Sequence, residues 1–116
     1  MDNKKKAPAT KYQVRLSENA IGNIDELIDH IAFINFQPLN AVMVGDAILN
    51  RIIRIGVNPF QYKECELIPT KAKIYRQTLC LSWYIIYKVL GAQIIILGVI
   101  HKSQKPSKRK GLRKYS

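Results

Sequence analysis

The stretch YIIYKVLGAQIIILGVIH, residues 84–101, decides the fold. Ten of its residues are β-branched or aromatic, the types that fit a pleated, half-buried surface. The glycine in LGAQ suits a tight turn, so the stretch reads as the two strands WYIIYKV (83–89) and IIILGVIH (94–101). Just upstream, IYRQTLC (74–80) has the same character. The three runs predict an antiparallel meander. Residues 94–100 are apolar at nearly every position, as in a central strand covered on both faces. That run is far shorter than the roughly 20 residues of a membrane-spanning helix, which argues against a membrane protein.

The cover for this sheet is expected upstream. YQVRL (12–16) alternates, with Tyr12, Val14 and Leu16 to one side and Gln13 and Arg15 to the other, as on a strand. Ser17 then suits a helix N-cap, and Glu18 the first turn. Ile21, Ile24, Ile28 and Ile31 follow at helical spacing beside Leu27 and Ile34, giving an amphipathic helix to about Asn35. Pro38 suits the start of a second helix and Gly56 a left-handed exit before Asn58 and Pro59. Between them Ala41, Val44, Ile48, Ile52 and Ile55 form an apolar stripe, widened by Val42, Leu49 and Ile53, with Asp46, Asn50 and Arg54 opposite. The expected fold is α+β in the order β-α-α-β-β-β, an antiparallel sheet that includes the first strand, with a two-helix hairpin packed on one face. Residues 1–10 read as a flexible arm, 11–106 as the domain and 107–116 as a basic tail.

At 116 residues and 47 % apolar content the chain sustains one hydrophobic core. Its net charge of +11 is unevenly spread. Residues 1–66 hold eight Lys or Arg and all eight acids, whereas residues 67–116 hold eleven Lys or Arg and none. A block of one sign attracts a polyanion, either nucleic acid or an acidic protein segment, and equally describes a solvated tail. The N-terminal MDNKKKAPAT has no apolar core behind its lysines, so it is not a secretory signal, and a cytoplasmic location is expected. Cys65 and Cys80 fit no CxxC or zinc spacing and read as reduced thiols. No metal and no cofactor are expected: there is no Gly-rich phosphate loop, no metal-ligand spacing and no serine or cysteine beside a base.

Strand ends are where a rigid sheet presents side chains to a partner, which singles out Arg76 and His101. Lys71, Lys73 and Lys102 add to a cationic patch that suits phosphate, and a histidine there suits proton transfer. The structural alternatives are a ring that closes a strand and an arginine paired with Glu64 or Glu66. Tyr75, Trp83, Tyr84 and Tyr87 fit base stacking or, more often, cross-strand packing.

The segment YRQTLCLSWYIIYKVLGAQIIILGVIHKSQKP resembles the C-terminal half of the RelE/ParE superfamily, the toxins of type II toxin-antitoxin systems. Arg76, the Tyr87-Lys88-Val89 run, His101 and Pro106 match the family's recurring positions, and LSENAIGNIDELIDHI and the NPF after the second helix extend the likeness to residues 11–106. The resemblance implies a growth-arresting toxin neutralised by a cognate antitoxin. RelE-like members cleave messenger RNA on the ribosome, which would assign catalysis to His101 and Arg76. ParE-like members poison DNA gyrase by binding. Nucleases usually place an Arg where this chain has Tyr84, and Lys105 stands where ParE-like members often have an acid. Tyrosine does not replace that positive charge, so the resemblance implies the ParE-like mode, with Lys71, Lys73, Arg76, Tyr84, His101, Lys102 and Lys105 as partner-binding residues and the nuclease, or a non-toxic nucleic-acid-binding relative, as the alternative.

Overall fold

The computed structural model describes residues 11–115, so the expected N-terminal arm lies outside the described residues. The elements follow the order read from the sequence: β1 (Gln13–Leu16), α1 (Glu18–Asp29), α2 (Pro38–Val57), β2 (Tyr75–Cys80), β3 (Trp83–Leu90) and β4 (Gln93–His101). A short α3 (Pro106–Lys110) and a 3-10 turn over Gly111–Tyr115 complete the chain.

Ser17 caps α1 as its residue type suggests, its hydroxyl accepting from the Ala20 N–H at 3.0 Å. The same buried hydroxyl donates to the Leu97 carbonyl, tying the helix start to the sheet. The helix does not run regularly to Asn35. It widens into a π-turn over His30–Ile34, and Phe36 adopts a positive φ of 55° in the connection to Pro38.

The sheet order is β1-β4-β3-β2. β2, β3 and β4 form the expected meander, turning at Leu81 and at Gly91, both with positive φ. β1, however, pairs with β4 in parallel, so the sheet is mixed rather than wholly antiparallel. The helices explain this. α2 returns the chain to the end of the sheet where β1 began, where Val14 touches Gly56 and Tyr12 meets Phe60. β2 therefore starts at the same end as β1, and after two antiparallel reversals β4 runs in their common direction.

Gly56 also has a different role from the one expected. It lies within α2, and a Cβ there would come 2.9 Å from Val14 Cγ2, so its value is close packing on β1 rather than a left-handed exit. The helix stripe is narrower than expected as well: Ala41, Val44, Ile48, Ile52 and Ile55 are buried, but Val42, Leu49 and Ile53 are 61 %, 50 % and 63 % exposed. Along α1 and the π-turn that follows it, Leu27 and Ile31 are buried whereas Ile21 is about half exposed and Ile34 is largely exposed.

Two cores result, one on each face of β4. Beneath the helices, Ile48, Ile55, Ile85, Tyr87, Ile94 and Ile96 pack together. On the opposite face, Cys65, Ile68, Tyr75, Ile86, Ile95 and Leu97 are covered by the 62–74 connection and by Leu112. The segment after Pro106 is thus folded rather than a solvated tail; Leu112 is 3 % exposed. No helix among the described residues is long and apolar enough to cross a membrane.

Candidate functional site

The residues singled out from sequence fall into three separate places. Arg76 belongs to the end of the sheet where β2 begins. Its Nη1 donates to the Tyr62 carbonyl at 2.8 Å and its guanidinium carbon lies 4.8 Å from the centre of the Phe60 ring. The expected pairing of its side chain with Glu64 or Glu66 is not what occupies it; Glu64 meets Arg76 as a backbone bridge. Nε is buried without a hydrogen-bond partner. Beside it, Tyr87 donates its hydroxyl to the Pro59 carbonyl. Burial pushes the Tyr87 phenol up, well above the usual tyrosine range, against a smaller opposing pull from Arg76. Together these contacts hold the 58–62 connection against the sheet. Lys71 and Lys73 are exposed on the turn that precedes the strand.

His101 lies at the far end. Its Nδ1 accepts the Ser103 N–H at 3.1 Å and lies 2.8 Å from the Ser103 hydroxyl, which leaves the ring proton on Nε2. The ring meets Trp83 edge to face with centroids 5.4 Å apart. Across β3, Arg76 is opposite Tyr87 and His101 is opposite Trp83. Four strand steps, from Trp83 to Tyr87, separate those positions, about 13 Å at roughly 3.3 Å per step, and β3 itself lies between β2 and β4. Lys102 and Lys105 follow His101 on the exposed turn.

Tyr84 faces the opposite side of the sheet from both. Arg109 lies over its ring at 4.1 Å and donates to Gln77 Oε1 at 3.3 Å. Residues 106–115 therefore close over Tyr84. Arg109, Gln77 and Leu112 were not legible as site residues, because nothing local in a lysine-rich segment marks which side chain turns inward. Each is recognisable only once Gly98 and Tyr84 are seen beneath the segment.

A polar cleft of about 880 Å3 opens beside His101, between α1 and the C-terminal segment, and includes Asn23, Glu26, His30, Trp83 and Lys108 in its walls. Beyond Leu16, β1 no longer covers the β4 edge. Asn19 and Asn23 take over, Asn19 donating to the Leu97 carbonyl at 3.0 Å and Asn23 accepting the Val99 N–H at 2.9 Å. No grouping of His, Cys, Asp and Glu among the described residues is suited to a metal ion. Both thiols are buried, and burial pushes each of them up.

The family described as ParE toxin of type II toxin-antitoxin system, parDE, matches residues 14–106. No curated protein matches the chain. Among solved structures, the chromosomal ParDE toxin-antitoxin system from P. aeruginosa has the same fold, with a TM-score of 0.65 at 16 % identity over 79 % of this chain and 97 % of that one. The match across nearly the whole described domain identifies the chain as a member of the ParE toxin family of type II toxin-antitoxin systems.

Proposed function

We propose that this toxin acts by binding DNA gyrase rather than by cleaving RNA, and that an acidic antitoxin segment neutralises it. The separation of Arg76 from His101 carries the reading. Cleavage through a 2′-hydroxyl needs a proton acceptor, a proton donor and a cation within hydrogen-bond reach of one phosphate. Two groups separated by four strand positions and an intervening strand do not meet there, and each is already engaged in local structure. Tyr84 and the Arg109 guanidinium stacked on it, which donates to Gln77, face the opposite side of the sheet from Arg76 and His101. For the antitoxin, the support is charge: Lys71, Lys73, Lys102, Lys105, Lys108 and Lys110 are exposed in a half of the chain without a single acid.

Expression in growing cells tests the reading. The wild-type chain and His101→Ala are both expected to arrest growth, with a DNA-damage response and intact message, and co-expression of a small acidic partner encoded beside the gene is expected to relieve the arrest. Cleaved message that His101→Ala spares would overturn the gyrase reading. Arrest unaffected by any such partner would overturn the antitoxin.

A further inference from the structure

Charge divides this molecule by face. The helical layer, residues 18–57, holds five of the acids and two arginines. The layer on the opposite face of the sheet is made of residues 62–74 and of residues 106–115 with the turn at 102–105 that leads into them. Together these stretches hold ten Lys or Arg and two acids. Of the two acids, Glu64 is turned back on its own loop, its carboxylate accepting the Thr70 N–H at 3.3 Å. The two parts of the layer meet over one apolar cluster that includes Cys65, Ile68 and Leu112. Leu112, together with Arg109 on Tyr84 and Gln77, fixes the C-terminal part to the sheet. Its lysines are thus carried on a folded surface, and its backbone loses little further freedom when they engage a partner.

The apolar content of this layer identifies the partner. Protein partners are held by buried apolar and aromatic anchors. The helical side offers such groups, with Phe36, Leu39 and Val57 at 84 %, 80 % and 74 % exposure; the basic layer does not. Its most open large apolar side chain among the described residues is Tyr115, at 38 %, and Lys114 lies 5.3 Å from the centre of that ring. Between the cations the exposed residues are Ser103, Gln104 and Ser107, hydroxyls and an amide that suit phosphate oxygens. Neutralising a phosphate backbone needs cations and no apolar anchor. We infer that the layer opposite the helices is a binding surface for the phosphate backbone of double-stranded DNA, independent of base sequence.

Other polyanions fit this layer less well. A single strand is held largely by bases stacked on aromatic rings. Here Arg109 covers Tyr84 at 4.1 Å, and Trp83 stands edge to face against His101 with centroids 5.4 Å apart, so both rings are already engaged. An acidic peptide is steered by the same charge, which acts mainly on the rate of encounter, but finds no anchor on this layer. The choice of DNA over RNA as the duplex rests on the gyrase reading; the recognition of a duplex backbone does not.

Fluorescence anisotropy of the purified full chain with a labelled DNA duplex, in the absence of gyrase, tests it. Affinity is expected to be the same for two unrelated sequences and to fall about a hundredfold between 50 and 200 mM salt, as for about four neutralised phosphates. Lys105→Gln with Lys108→Gln and Lys110→Gln is expected to weaken binding at least tenfold with an unchanged circular dichroism spectrum, and arginine at the same three positions to retain it. Lys11→Gln with Arg15→Gln and Arg54→Gln, the same loss of charge elsewhere on the surface, should leave affinity within threefold. No binding at 50 mM salt, equal losses in the two glutamine triples, or tighter binding of a single strand or an RNA duplex would each overturn the proposal. So would a poly-glutamate peptide that binds as tightly as the duplex. Because gyrase is absent from the assay, none of these results can be confused with a failure of the gyrase reading.

Discussion

Gly98 leaves the space that Leu112 occupies: a Cβ at position 98 would sit 2.7 Å from Leu112 Cδ2 and 3.0 Å from Asn23 Oδ1. A glycine in the interior of a central strand is unfavourable for the strand itself, and here it admits Leu112 of the C-terminal segment into the second core. Gly98→Ala is expected to destabilise the fold by about 1 to 3 kcal/mol through overpacking. Leu112→Ala should cost about 2 to 5 kcal/mol as a buried Leu truncation. Combined, the two should cost clearly less than their sum, because each relieves the clash or the void left by the other. Urea unfolding of the single and double variants measures this, and strict additivity would contradict the packing described.

Arg76 is a brace for the 58–62 connection. Arg76→Ala removes a charge-assisted hydrogen bond to the Tyr62 carbonyl and a cation-ring contact to Phe60. A loss of about 2 to 3 kcal/mol of stability is expected. The toxin's effect per folded molecule should be unchanged. Thermal unfolding alongside the growth assay separates the two, and full stability with lost toxicity would instead make Arg76 a contact residue.

Tyr87 makes stability sensitive to alkali. Its folded pKa is raised by burial, so the unfolded chain releases the proton first, near the ordinary tyrosine value of about 10. The stabilisation is complete below that pH and is lost as pH rises from there toward the elevated folded value. Tyr87→Phe should lose about 1 kcal/mol at neutral pH, where the Pro59 carbonyl is left unpaired, and should show a flatter decline above pH 10. Urea midpoints measured from pH 8 to pH 11 check the slope; parallel curves for the two proteins would contradict it.

Much of this fold is legible in the sequence because local signals and tertiary needs agree. Ser17, Pro38 and the alternation around Tyr87 each mark an element that exists. Other features depend on information no local window contains. The parallel pairing of β1 follows from the end of the sheet to which α2 returns the chain. Helix α2 is apolar nearly all round, so its hydrophobic pattern does not say which residues face inward, and Val42, Leu49 and Ile53, which widen the stripe in the sequence, are exposed in the fold. Residues 107–116 look like a solvated tail because charge dominates their composition, while a single leucine, Leu112, packs the described part, 107–115, onto the sheet. For the candidate site, residue types single out Arg76, Tyr84 and His101 but say nothing of their distribution over two ends and two faces of the sheet.

The proposed mode of inhibition is binding and not catalysis. Purified chain added to DNA gyrase in a supercoiling assay, with cleavage of message on translating ribosomes followed in parallel, tests it most directly. Inhibited supercoiling with intact message is expected, with His101→Ala inhibiting as well as wild type. Uninhibited gyrase together with message that is cut by wild type and spared by His101→Ala would contradict it.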